Sequence, residues 1–428
     1  MKEATETRRH GGTLGTAIKM VASTNRRAVA ELLSATRIRD RETEQATERI
    51  VDAVRAGGDA ALRRYAKQFD GLTGAMEVPR SAWTASARSL ATSVRRAIAT
   101  AAKNIRSVAT KQVPRGWRHV VAPGISVEQR VVPLTRVGCY VPAGRYPLPS
   151  SLLMNAIPAR VAGVDEVVVC CPRPDAAVFA AAIEARVDRF FCLGGAHAIA
   201  AMAYGTRAIP RVDKIVGPGN RWVSAAKALV SSDCGIDFYA GPSEILIVTA
   251  TGDPNWLAAD LLAQAEHDPD ARAVLMTTNR ALAERVAAAV AAQMPATGPA
   301  GASIARHGGI IVCRSLDEMV ALANQAASEH VVAGSESIAR RIVNGGSLFV
   351  GGWTAQVAGD YAIGSNHVLP TAGAARYRGG LNAADFVKLV SVQRVTRRGL
   401  DSLAPTITTL ARAEGLECHA RSIEVRTR

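Results

Sequence analysis

The stretch Val164–Gly195, VDEVVVCCPRPDAAVFAAAIEARVDRFFCLGG, decides the fold class. Val164–Cys171 is a short apolar run rich in β-branched residues and reads as a buried strand; Asp175 then caps an alanine-rich helix to Ala185. Val187–Cys192 is a second strand, and a helix follows Gly194-Gly195 through Tyr204. Val212–Val216 is a third, followed by Gly217-Pro218-Gly219-Asn220 and a helix to about Val230. Strands that alternate with helices in this way form a parallel sheet covered on both faces. Glycines at the strand ends leave bare backbone N–H groups at helix starts, where phosphate binds well, although the GxGxxG fingerprint is absent.

A second series of the same kind lies downstream. Ile245–Ala250 is a strand, Asp253 and Pro254 open a helix, and Ala273–Thr278 is the next strand. A helix over Ala281–Met294 leads to strand Gly309–Cys313, and the capping box Ser315–Glu318 opens a helix to Ala327. Ser335–Val343 reads as helical and Ser347–Val350 as a strand. Upstream, helical periodicity runs from about Asp40 to Gln68, broken at Gly57-Gly58, and over about Ser81–Val108. The fold expected is α/β, two Rossmann-like parallel-sheet domains with an N-terminal arm over 1–34, its first twenty residues mobile, and a mostly helical C-terminal tail over 381–428. One domain spans 133–242; the other is discontinuous, 35–132 with 243–380.

The chain has 428 residues and a net charge of +15, yet its 52 lysines and arginines are scattered and aromatic residues make up only 4%. Little is left for stacking on bases, so no nucleic-acid partner is expected. There is no apolar run of about 18 residues and no apolar core of a secretory signal, so no membrane partner is expected either. Seven cysteines, an odd number, do not suit a disulfide framework and point to reduced thiols in the cytoplasm.

Four places concentrate groups that titrate or ligate: Gln264 with His267, Ser328-Glu329-His330, Asp360 through His367, and Glu414 with His419. Gln264 and His267 share a helix face, a workable half-site for a divalent metal and otherwise ordinary polar surface. Glu329-His330 sets a carboxylate beside an imidazole, suitable for acid–base work near neutral pH. Together Gln264, His267, Asp360 and His419 would supply four N/O donors, which suits zinc.

The chain resembles the histidinol dehydrogenase family on long, ordered motifs. They are GDAAL at 58–62, VGCYVPAG at 137–144, PSSLLM at 149–154, GPGN at 217–220 and AGPSEIL at 240–246. QAEHDPDA at 264–271, SEH at 328–330, GDYAIGSNHVLPT at 359–371 and EGLECHARS at 414–422 complete the set. The resemblance implies one zinc per subunit on Gln264, His267, Asp360 and His419, with His330 as base and Glu329 activating water. It implies substrate contacts at Ser243, His367 and Glu414 in addition to His330 and the four zinc positions. NAD would meet Tyr140, Asn220 and His197, the last standing where a glutamine is usual in a GGAQA pattern. Ala143, where VPGG is usual, and Trp222 after GPGN are further departures on the cofactor side. The 133–242 domain then carries the cofactor, the discontinuous one zinc and substrate. The implied reaction is oxidation of L-histidinol to L-histidine by two hydride transfers, in a homodimer whose tails cross to complete each other's sites. A relative acting on another polar alcohol, such as a sulfonated diol, and a non-catalytic metal or nucleotide binder are the alternative readings.

Overall fold

The computed structural model describes residues 18–34, 40–142, 147–239 and 241–427. Most of the expected N-terminal arm and Ala143 lie outside them. In chain order the first strands are β1 (Lys19–Ala22), β2 (Trp117–Ala122), β3 (Ile125–Pro133), β4 (Arg136–Tyr140) and β5 (Glu166–Cys170). Then come β6 (Arg189–Phe191), β7 (Lys214–Val216), β8 (Gly235–Ile236), β9 (Glu244–Val248) and β10 (Arg272–Thr277). The last are β11 (Gly308–Val312), β12 (His330–Ala333), β13 (Ser347–Val350) and β14 (Val387–Val395).

Two of the sheets repeat one topology. The first is parallel, in the order β6-β5-β4-β7-β8, which counted along the chain is 3-2-1-4-5, the order of a dinucleotide-binding sheet. In the second, β11-β10-β9-β12-β13 has the same order, and β1 adds beyond β11. A three-stranded antiparallel sheet, β14-β3-β2, carries the tail. The α/β class and its two Rossmann-like sheets are therefore as the apolar periodicity requires.

The structure corrects the expected boundaries. The arm ends before Lys19: β1 pairs with β11, and the Arg26–Leu33 helix, capped by the Asn25 side chain, buries Val29 and Leu32. Four residues are too few for a period to declare itself. The helices of 41–112 belong to the five-stranded sheet rather than to the 243–380 unit. Arg41–Tyr65 buries Val51, Val54 and Leu62 among Val168, Ile199 and Ile215. Thr92–Gln112 buries Ile98 and Ile105 among Leu152, Ile157 and Phe190. An apolar stripe says that a helix is covered, not what covers it.

Gly58, at φ 51°, kinks Arg41–Tyr65 without ending it. The run read over Ser81–Val108 is two helices, Arg80–Arg88 and Thr92–Gln112. Pro149–Ala162 and Ala300–His307 are helices beyond those expected, and Ser335–Val343 contracts to Glu336–Ala339. The tail is mostly helical, as expected, with helices Arg397–Ala413 and Glu417–Thr427, and before them β14 is a nine-residue strand against β3. Among the described residues no helix is long and apolar enough to cross a membrane. All seven cysteines are free.

Candidate active site

The parallel register of β9 and β12 pairs His330 with Ile245, which brings Ser243 and Glu244 beside Glu329. The Pro254–Ala265 helix, begun by Asp253, delivers Gln264 to the same point from its last turn. Gln264 is fully buried and its Nε2 donates to Ser243 Oγ at 2.7 Å. Ser243 Oγ donates onward to Glu329 Oε2 at 2.6 Å, and the Glu244 N–H reaches that oxygen at 2.8 Å. This one-way relay orients the amide: its nitrogen is committed, and Oε1 is left buried with no partner among the described residues.

His330 is held by the same peptide. Its Nδ1–H donates to the Glu244 carbonyl at 3.1 Å, which leaves Nε2 as the lone-pair nitrogen, buried and without a partner among the described residues. That nitrogen lies 3.8 Å from Asp360 Oδ1. Burial alone would lower the pKa of His330, but the charges of Glu329 and Asp360 and the bonds to Glu329 and Glu244 outweigh it and raise it to about 9. Asp360, on the short helix Gln356–Tyr361, takes Gln356 Nε2 on its other oxygen at 2.8 Å. Its backbone carbonyl accepts His367 Nδ1–H at 3.0 Å, and Ser151 Oγ lies 3.2 Å from His367 Nε2. Burial, against the pull of Asp360, lowers the His367 pKa and favours the neutral ring. Ser151 and Gln356 escaped the reading of the sequence; only the four-residue spacing from Gln356 to Asp360 hinted at the second.

His267 is exposed, and its Nδ1 faces the carbonyls of Ala263 at 3.0 Å and Gln264 at 3.2 Å, so that Nε2 is left outward. His267 and Asp360 line a cleft of about 1000 Å³ that Pro142, Leu148, Ser150 and Leu153 close from the other sheet. The cleft thus runs from the carboxyl end of β4 to the segment leading into β10. Ser243, Glu329 and His330 stand at the amino ends of β9 and β12, whereas ligands of open parallel sheets usually sit at carboxyl ends. The chain's own Glu414 and His419 are not brought here. Both are exposed, on two helices that pack chiefly on each other and are tied by Arg412 to Glu417 and Glu424. Gln264, His267 and Asp360 carry N/O donors of the kind a divalent cation takes, and the Gln264 Oε1 has no partner among the described residues.

The cofactor side departs from expectation. Tyr140 ends β4 and Asn220 follows β7, so both stand at the carboxyl ends of the two strands where the order reverses, the place a dinucleotide fits. Asn220 caps the Arg221–Val230 helix, and Tyr140 is buried with its hydroxyl accepting the Gly195 N–H at 3.1 Å. His197 does not face the cleft: it is buried against Asp70, its Nε2 at 2.8 Å from Oδ2. Glycine N–H groups read as bare are taken at Gly194, Gly195 and Gly217. Gly194 donates to Asp70 at 3.0 Å, and Gly217 to Asp237 at 2.8 Å, where buried Lys227 pairs with Asp237 and donates to the Gly217 carbonyl.

Two dinucleotide-type sheets, one of them carrying a buried carboxylate–imidazole pair at the amino end of a strand, define an α/β protein equipped for acid–base chemistry. The model of the histidinol dehydrogenase family matches residues 33–427. Histidinol dehydrogenases of Natronomonas pharaonis and Methylococcus capsulatus are 47% and 43% identical, over 91% and 93% of this chain and 95% and 94% of theirs. The crystal structure of histidinol dehydrogenase from Elizabethkingia anophelis superposes with a TM-score of 0.91 at 30% identity, covering 96% of this chain and 98% of that one. The chain belongs to the histidinol dehydrogenase family.

Proposed function

We propose that this chain oxidises L-histidinol to L-histidine through L-histidinal, in two hydride transfers to NAD, with one zinc ion held by each site. The observation that carries the reading is the buried relay from Gln264 through Ser243 to Glu329, beside a His330 Nε2 left open toward Asp360. When bound, the cation would be held by Gln264, His267 and Asp360 and would grip the substrate, and the nicotinamide would take the hydride. A cation held at Asp360 would weaken that carboxylate's pull on His330, which favours the neutral ring, while the larger pull of Glu329 stays. His330 Nε2 takes the proton of the substrate hydroxyl, and the Glu244 carbonyl on Nδ1 keeps that tautomer. Glu329, buried and steadied by two donors, takes a proton from the water that adds to the aldehyde, and the hydrate loses the second hydride. The cleft retains the aldehyde between steps and keeps a reactive intermediate from solvent.

The fourth donor, His419, and the substrate contact Glu414 come in this reading from a second copy of the chain, whose exposed tail helices reach the cleft of the first. Free cysteines support a cytoplasmic setting. The test is a panel of alcohols with NAD reduction as readout. L-Histidinol and L-histidinal should both be oxidised, a chelator should abolish turnover and zinc should restore it. Turnover of a sulfonated diol with L-histidinol inert would replace the substrate; full activity without metal would remove the ion from the scheme.

A further inference from the structure

His197 joins three pieces of chain that are distant in sequence. Its imidazole is 1% exposed, with ring centroids 6.3 Å from Tyr65 and 6.0 Å from Phe69. Those rings and Asp70 come from one π-type turn, Ala66–Asp70, and the residue before it, at the end of the long kinked helix. The turn ends on a carboxylate, Asp70. Asp70 Oδ2 receives both His197 Nε2, at 2.8 Å, and the Gly194 N–H, at 3.0 Å. Gly195, at φ 60°, turns its own N–H to the Tyr140 hydroxyl at 3.1 Å. The links run from His197 to Asp70, to the Gly194–Gly195 turn, to Tyr140.

Two consequences follow for whatever occupies the carboxyl ends of β4 and β7. The start of the Gly195–Tyr204 helix, otherwise a site for a phosphate, already holds a carboxylate and repels a second anion. The direction of the Tyr140 hydroxyl is set by the Gly195 N–H, whose aim depends on a turn that Asp70 pins. Asp70 in turn is 8% exposed, so a carboxylate there needs its donors. Without the imidazole only the Gly194 N–H is left to it, and rotation toward water for further donors breaks that bond and frees the turn.

We propose that His197 is a positioning residue for the dinucleotide: it acts through Asp70 and the Gly194–Gly195 turn to fix Tyr140, and does not itself touch the cofactor. This rests on Tyr140 meeting NAD, as in the functional reading above. A glutamine at 197 can donate its amide N–H to Asp70; an alanine cannot.

The experiment uses the full-length, zinc-loaded protein and the variants H197A, H197Q, D70A and H197A/D70A. NAD affinity is measured by calorimetry, amide exchange of the 193–196 segment by mass spectrometry, and metal content and KM for L-histidinol alongside. H197A should weaken NAD binding about tenfold, the size of one buried hydrogen bond, and speed exchange of the turn. H197Q should restore both to within about threefold of the parent. The double variant should be no weaker than D70A, because both changes break one chain of contacts. Metal content and KM for L-histidinol should not move. Losses that multiply in the double variant, or an H197A protein with unaltered exchange and NAD affinity, overturn the inference. If exchange responds as described but the parent protein itself does not bind NAD, the cofactor reading has failed and the role of His197 toward a dinucleotide falls with it.

Discussion

Replacing Ser243 by alanine removes one oxygen that serves two buried partners at once. The Gln264 Nε2, 2.7 Å away, loses its acceptor in a place with no solvent, and Glu329 loses the shorter of its two donors to Oε2. An orphaned buried donor costs about 1–3 kcal/mol, and a hydrogen bond to a charged acceptor about 1.5–3 kcal/mol. Local rotation recovers part of this, so the folded state should lose about 2–4 kcal/mol. The functional effect is more specific. With Nε2 uncommitted, the amide no longer presents Oε1 in one direction, and a cation loses a fixed oxygen donor. Outer partners of this kind are worth about 10–100-fold in metal affinity, so Ser243→Ala should bind zinc weaker by that factor. Competition with a chelator of known zinc affinity reads this directly, on protein whose fold is checked by thermal melting. Ser243→Thr, which keeps the hydroxyl, should stay closer to the parent. A folded Ser243→Ala protein with parental zinc affinity would refute the orienting role of the relay.

Complementation tests the exposed tail: His419→Ala and His330→Ala homodimers should each be nearly inactive, whereas a co-refolded mixture, with about half its dimers mixed and one site repaired in each, should recover roughly a quarter of wild-type turnover. No recovery in mass-verified mixed dimers would return His419 to its own chain. Glu329→Gln removes a charge that raises the His330 pKa, so the acidic limb of alcohol oxidation should move down by about one pH unit while aldehyde oxidation drops by about 10²–10⁴. A pH profile that stays in place refutes the electrostatic coupling. Glu244 is a buried acid, its pKa pushed up to about 7 chiefly by burial, with Arg272 pulling it down and Glu329 pushing it up. Its folded pKa lies above the ordinary 4.5, so the folded state holds the proton longer, and stability should fall as pH rises from 4.5 to about 7, by about 3 kcal/mol. Denaturant titrations at pH 5 and pH 8 should show that fall in the parent and not in Glu244→Gln; parallel behaviour of the two would contradict it.

Runs such as Val164–Cys171 and Ile245–Ala250, punctuated by glycine and capping residues, declare strand and helix locally, because burial on both sheet faces demands unbroken apolar residues. The alternation of those elements determined the two parallel sheets, and helical spacing placed Gln264 and His267 on one face. What joins Gln264 to Glu329 is different in kind: Ser243 and Glu329 are 86 residues apart and meet only because β9 and β12 lie side by side in one register. No local pattern carries that register. The same holds for the glycine turns, where Asp70, 124 residues from Gly194, and Asp237, 20 from Gly217, fill the N–H groups that looked bare. His197, polar in sequence, became interior because the π-type turn brought it a carboxylate. The helices of 41–112 showed their apolar stripes plainly, yet only packing assigned them to the five-stranded sheet. In the tail, Arg397–Ala413 buries just Gly399 and Ala411 in the single chain. Sequence determines that its apolar stripe seeks cover; which surface supplies that cover is a property of tertiary and subunit packing, since hydrophobic contact is non-directional and names no partner.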